Sequence, residues 1–255
     1  MGTADDDIHL IAEASGERVR RAQSLHPDAR RAIGEIRDRL GPGPFALVIL
    51  FVSADRAPDE IAAAVLEHFR GHQVIGATTA GEIGTAGYLD GSIVGLGLPL
   101  SHFRAQVMVI NDLHRCPENL SIQNVLRLRG ALAGTVPNWP NEFAFLLCDG
   151  LSLKEDRLVS ALGPALGAAP LFGGSAADGI DFRRTGVLAD GAFRSNVAVV
   201  AFIRTNCRIK VFRFDHLVPT DTRMVVTRAD PANRIVHEIN AEPAARAYAR
   251  SLGRD

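Results

Sequence analysis

Two kinds of apolar run alternate along this chain, and their order sets the architecture to expect. "FALVILFV" (Phe45 to Val52) is continuously apolar and β-rich, the pattern of a central strand covered on both faces. In "SADRAPDEIAAAVLEHFRG" the period changes to helical. Ile61, Val65, Leu66 and Phe69 share one face, Asp55 is placed to cap, and Pro58 suits a first turn. "QVIGATT" predicts a second strand. "GSIVGLGL" (Gly91 to Leu98) predicts a third after a Gly-rich turn, and the alternating "FRAQVMVI" (Phe103 to Ile110) a fourth. Upstream, apolar residues at helical intervals between Ile8 and Leu40 predict one or two N-terminal helices, stopped by "GPGP" at Gly41 to Pro44.

The same order then returns. "FAFLLCDG" (Phe143 to Gly150) answers "FALVILFV", "KEDRLVSALGPALG" answers the helix, and "LFGGSAADGI" (Leu171 to Ile180) answers "VIGATTAGEI" (Val74 to Ile83). The offsets from Phe45 to Phe143 and from Val74 to Leu171 agree to within one residue, which predicts an internal duplication. The second copy adds a hairpin at Asp190-Gly191 before "NVAVVAFI", and "RIKVFRF" (Arg208 to Phe214) parallels "FRAQVMVI". A linker around Asn111 to Pro140 carries the helical "NLSIQNVLRLRGALAG".

After Phe214 a loop, a strand hairpin and the helix "EPAARAYARSLG" predict the opening of a further unit, cut short at Asp255. The expected fold is therefore α/β (α+β). Duplicated strand-helix-strand-hairpin units share one mixed-sheet core, with N-terminal helices and a C-terminal β-hairpin plus helix. The expected divisions are a helical extension over 1–44, an α/β domain over 45–214 with repeats of about 45–110 and 143–214, and a last unit over 215–255.

Composition narrows the function. With 47% hydrophobic residues in 255, the chain can bury a sizeable core, and a formal net charge of -1 provides no attraction towards nucleic acid or an anionic membrane. Cys116, Cys148 and Cys207 are too few and too scattered for a disulfide framework or a zinc site, so reduced thiols and a cytoplasmic location are expected. "MGTADDDIHL" is acidic where a secretory signal is basic, and no run approaches the ~20 apolar residues that cross a bilayer.

Catalytic signals are weak. Ser53, Ser152 and Ser175 lie outside any G-x-S-x-G, Cys148 sits inside an apolar strand, and Gly71 ends the helix between His68 and His72, so no enzyme is expected. The glycines of "VIGATTAGEI" lack dinucleotide-loop spacing and no G-K-[ST] follows. Two explanations stay open for Gly76, Thr78, Thr79, Gly173, Gly174 and Ser175: close strand packing at a pseudo-symmetry axis, or backbone and hydroxyl groups that meet a small polar ligand such as an amino acid.

"VIGATTAGEI", "PLFGGSAADG" and "VVTRADPANRIVHEINAEPAARAYARSLG", in that order, resemble the FIST sensory domain family over roughly Phe45 to Gly253. Asn240-Ala241 departs from that family, where a glycine usually follows the asparagine. The resemblance implies a bacterial small-ligand sensor that regulates a partner histidine kinase or cyclic-di-GMP enzyme, and it allows a homo-oligomer. The "FDHLVPTDTRMVVTRADPANRIVHEIN" stretch is similar to the family's haem-binding, nitric-oxide-sensing branch. On that branch His216 would be the ligand to the iron of haem b, flanked by Phe212, Phe214, Leu217 and Pro219, since haem needs a neutral imidazole in an apolar pocket. His237 in "RIVHEIN" and "HRCP" (His114 to Pro117) are lesser candidates. A scaffold that recruits a partner and binds nothing small is the remaining alternative.

Overall fold

Period-two burial explains the central strands. The computed structural model describes residues 19–85, 87–116, 120–212 and 217–254, which form two units, the first running to Lys210 and the second from Val211.

In the first unit β1 (Arg20–Ser24), α1 (Ala29–Leu40), β2 (Phe45–Ser53), α2 (Pro58–His68) and β3 (Val74–Thr79) are followed by a small hairpin, β4 (Glu82–Gly84) and β5 (Gly87–Leu89), and then by β6 (Ile93–Pro99). Next come β7 (Phe103–Asn111), α3 (Ile122–Thr135), β8 (Asn141–Asp149), α4 (Glu155–Leu166) and β9 (Leu171–Ala176). The hairpin β10 (Val187–Ala189) and β11 (Ala192–Arg194) leads into β12 (Val197–Thr205). One sheet has the order β1-β6-β2-β3-β10-β11 and the other β7-β12-β8-β9.

Two sheets, not one mixed sheet, therefore carry the core. Along β2 the even residues Val48, Leu50 and Val52 pack against Ile33, Ile36 and Leu40 of α1 and Ile61 and Val65 of α2. The odd residues Leu47 and Ile49 face the other sheet. In β8, Ala144, Leu146 and Cys148 pack on Leu158, Leu162 and Leu166 of α4, while Phe145 and Leu147 turn inward. The result is four layers, helices, sheet, sheet, helices, with an inter-sheet core between two helix-facing ones.

Both sheets share one local plan: a parallel pair (β2 with β3, β8 with β9), then two antiparallel neighbours (β6 and β1, β12 and β7). Three expectations change. The segment expected as N-terminal helix contains β1, whose five residues pair with β6 and so belong to the first sheet. "FRAQVMVI" is the outer strand of the second sheet and pairs with β12, so it opens the second half instead of closing the first. Arg208 to Phe212 is not a strand: β12, which it follows, already has β7 and β8 on its two edges.

In the second unit β13 (Val226–Asp230), β14 (Ile235–Ile239) and the short β15 (Glu242–Pro243) form a three-stranded sheet followed by α5 (Ala244–Ser251). Arg228 pairs with Glu238 across the β13–β14 hairpin at 3.0 Å, and Asn240 and Ala241 both take positive φ, 53° and 62°, in the turn between β14 and β15. The hairpin and helix thus match the expected elements. α5 buries none of its residues.

Candidate functional site

The two small-residue stretches meet as backbone. The Ala177 amide donates to the Thr78 carbonyl at 2.9 Å, the Thr78 amide donates to the Gly186 carbonyl at 2.9 Å, and the Gly186 amide donates to Thr78 Oγ1 at 3.0 Å. Thr78 is buried, so its hydroxyl is committed to this junction. The Thr79 hydroxyl donates to Glu82 Oε1 at 2.5 Å. Glu82, 2% exposed, also accepts from the amide (3.1 Å) and hydroxyl (2.6 Å) of Ser92. Asp149 does similar work in the other half, accepting from the amides of Leu151 and Asn196 and from the Thr185 hydroxyl. Both carboxylates organise loop backbone.

The glycines have a shared geometric reason. Gly76 is the register partner of Leu50, and Gly173 of Leu146. A Cβ on Gly76 would lie 2.5 Å from the Leu50 carbonyl oxygen, and one on Gly173 would overlap the Leu146 carbonyl. Gly174 has open space around it. Ser175 is exposed on the edge strand β9 and donates to Glu155 at 3.2 Å, with the Cys148 sulfur 3.5 Å away. Of the six residues expected to meet a polar ligand, Gly76, Thr78, Thr79 and Gly173 are thus committed to packing and internal hydrogen bonds.

An opening lies elsewhere. Between the sheets is an apolar cleft of about 640 Å3. One wall is Ile49 and Phe51 of β2 with Leu96 and Leu98 of β6, and the other is Phe143 and Phe145 of β8 with Phe172 of β9 and Ile203 of β12. Phe172 stacks on Phe143 (ring centroids 5.5 Å apart, 28° between planes) and meets Phe145 edge-on at 5.4 Å. Cys207, Arg208 and Ile209 form part of the rim. The rim backbone is fixed, because the Cys207 amide donates to Thr205 Oγ1 (3.0 Å) and its carbonyl accepts from Asn141 Nδ2 (2.7 Å).

A second hollow of about 330 Å3 is of mixed character, lined by Arg70, His72 and Gln73 beyond the end of α2 and Asp190 of the β10–β11 turn together with apolar residues such as Val65, Phe69, Val107 and Val109. Asp190 is held by Arg194 at 3.1 Å.

Sequence reasoning singled out the glycines of "LFGGSAADGI" and passed over the neighbouring Phe172. The signal was available: Phe143, Phe145 and Phe172 are inward positions of adjacent strands, so their rings converge. The haem residues His216 and Phe214 lie outside the described residues. Of their neighbours, Phe212 is 76% and Leu217 78% exposed, and Pro219 is exposed as well. His237 is exposed on β14. Cys116, Cys148 and Cys207 are buried and form no disulfide among the described residues. Among the described residues no group of three or more His, Cys, Asp or Glu is placed to hold a metal ion, and no helix is long and apolar enough to cross a membrane.

Hydrogen bonds hold three carboxylates, Glu67, Asp178 and Asp230, below their ordinary values. Asp178 accepts the backbone amides of Arg184, Arg183 and Phe182, which hold its pKa below the ordinary aspartate value. It pins the turn after β9.

No curated protein matches this chain. The family model for the FIST N domain, a sensory domain of signal transduction, matches residues 46–242 and so spans both sheets and the hairpin of the second unit, and the chain belongs to the FIST N domain family.

Proposed function

We propose that this protein is a small-ligand sensor whose ligand lodges in the apolar cleft between its two sheets, and whose output passes through a partner such as a histidine kinase or a cyclic-di-GMP enzyme. The observation that carries the reading is the cleft itself. About 640 Å3 of aromatic-walled space lies within the range of small-molecule sites. A saturable rise in N-phenylnaphthylamine fluorescence on addition of protein tests it, with Ile49→Trp as the variant that fills the space. The expected result is binding by the wild type and at least tenfold weaker binding by Ile49→Trp. Unsaturable fluorescence, or equal binding by a folded Ile49→Trp, refutes the site.

A second reading keeps the haem and nitric oxide that the family resemblance implies. Its support is the exposure of Phe212, Leu217 and Val218 beside His216, since three large apolar side chains this open to water call for a cover. Haem b would supply an iron that binds nitric oxide, and His216 would be the residue that holds it. A Soret band in protein purified with haem supply, lost or shifted in His216→Ala, is the expected result, and its absence removes this reading. The amino-acid alternative, expected at Thr78, Thr79 and Ser175, has its support instead in the second hollow, where Arg70 offers a charge for the carboxylate while Asp190 is paired with Arg194. An amino acid that raises the melting temperature of the wild type but not of Arg70→Ala supports it.

A further inference from the structure

We propose that the inter-sheet cleft takes an amphipathic monocarboxylate, its aliphatic or aryl body among the phenylalanines and its carboxylate on the Arg208 guanidinium. The inference rests on the cleft being the ligand site and names the class of ligand.

The lining is apolar except at one place. Ile49, Phe51, Leu96, Phe143, Phe145 and Phe172 offer no polar side-chain atom, so the body of the ligand gains only from leaving water. At the rim stands Arg208, exposed, lining the cleft and without an ion pair among the described residues. Among the described residues no acidic side chain lines the cleft to compete for the guanidinium. Other arginines near the second sheet are engaged: Arg129 and Arg204 both pair with Glu142, at 2.6 and 3.5 Å, and Arg104 bonds the Leu100 carbonyl and lies over Trp139.

Arg208 also leaves a fixed backbone. The Thr205 and Asn141 bonds to Cys207 hold the preceding residue, so the guanidinium is tethered at the cleft mouth at little further entropic cost. A planar guanidinium matches a carboxylate bidentately, and a head group of the opposite sign would be repelled.

Competition against bound N-phenylnaphthylamine separates the ligand class from the site. Decanoate, decanol and decylamine share one tail and differ in head group. With the full chain at neutral pH, decanoate should displace the probe at roughly fivefold lower concentration than decanol, and decylamine should be the weakest of the three. Arg208→Ala should bring decanoate level with decanol while leaving decanol unchanged, and Arg208→Glu should invert the order of acid and amine. Equal displacement by decanoate and decanol in the wild type, or an unchanged preference in Arg208→Ala, overturns the carboxylate assignment and leaves the cleft standing. Failure of the wild type to bind the probe overturns the cleft and this inference together.

Discussion

Gly173→Ala and Gly174→Ala, adjacent substitutions of the same chemistry, should have opposite effects on stability. Gly173 has φ 155° and sits opposite Leu146 in the parallel pair of β8 and β9, where an added Cβ overlaps the Leu146 carbonyl and crowds its amide. Alanine there must push β9 off β8. Overpacking of this sort costs about 1–3 kcal/mol, and an unfavourable backbone conformation adds about 1–3 kcal/mol. The sum is roughly 2–6 kcal/mol, tempered because β9 is an edge strand and can give. At Gly174 a Cβ meets nothing within 4 Å. Alanine there only restricts the unfolded chain, a gain of about 0.4–1 kcal/mol. A domain of this size loses about 2–4 °C of melting temperature per kcal/mol. Gly173→Ala should therefore melt roughly 5–15 °C below the wild type, and Gly174→Ala at or slightly above it. Circular dichroism melts at fixed scan rate measure both. Equal melting temperatures for the two variants would refute the account of Gly173 as a packing glycine and restore a ligand-contact role for the pair.

Thr78→Val removes the acceptor of the buried Gly186 amide and should destabilise by about 1–3 kcal/mol, while Thr78→Ser keeps the oxygen and most of the stability; chemical denaturation separates them. Glu82→Ala leaves the Ser92 amide and the Thr79 hydroxyl without their acceptor and should cost about 2–4 kcal/mol in the same assay, with Glu82→Gln intermediate. The Asp178 carboxyl should titrate below an ordinary aspartate in a carbon-detected NMR series. Its lowered folded pKa gives the turn stability that is complete above the unfolded pKa and lost as pH falls through the folded one. Asp178→Asn should flatten that acid limb. Phe172→Ala opens one wall of the cleft and should weaken probe binding several-fold while costing less stability than Phe145→Ala, because Phe172 is 42% exposed and Phe145 8%.

What could be read from the chain follows the strength of its local signals. "FALVILFV" and the "FAFLLC" of "FAFLLCDG" are apolar at every position because they are covered on both faces, and both are central strands. β1 was hidden for the opposite reason. "RRAQS" buries only Ala22 and Ser24, and it is a strand through its register with β6, from Arg20 opposite Gly97 to Ser24 opposite Ile93, which no local pattern announces. The place of β7 was hidden for the same cause: "FRAQVMVI" alternates well enough to be called a strand, but which edge it joins depends on β12, nearly ninety residues on. At the site, the matching glycines were visible and their reason was not, because each is explained by a leucine on the neighbouring strand. The cleft was invisible because its walls come from six strands of two sheets, with Phe103 of β7 among the lining residues.

The layering constrains how such a sensor can respond. Each sheet is bound to its own helices through a separate core, Leu50 with Ile33 and Ile61 on one side and Leu146 with Leu158 and Leu162 on the other. The sheets are therefore stiff bodies, and the inter-sheet core is the deformable surface between them. Over β3 and β10 that core is filled by aliphatic side chains, Ile75, Ala77, Val187 and Ala189, next to the Thr78 junction, where the Thr78 backbone bonds Ala177 and Gly186 and its hydroxyl accepts the Gly186 amide. Over β2 and β6 it is made of large rings around open space. A ligand that fills the open part adds contacts there and none at the junction, so its work is to set the separation and tilt of one sheet against the other. Its leverage on a partner is bounded by the difference in affinity of the cleft for the ligand between two such arrangements, which makes wall residues such as Phe172, and not the glycines, the positions where ligand response can be changed without breaking the fold.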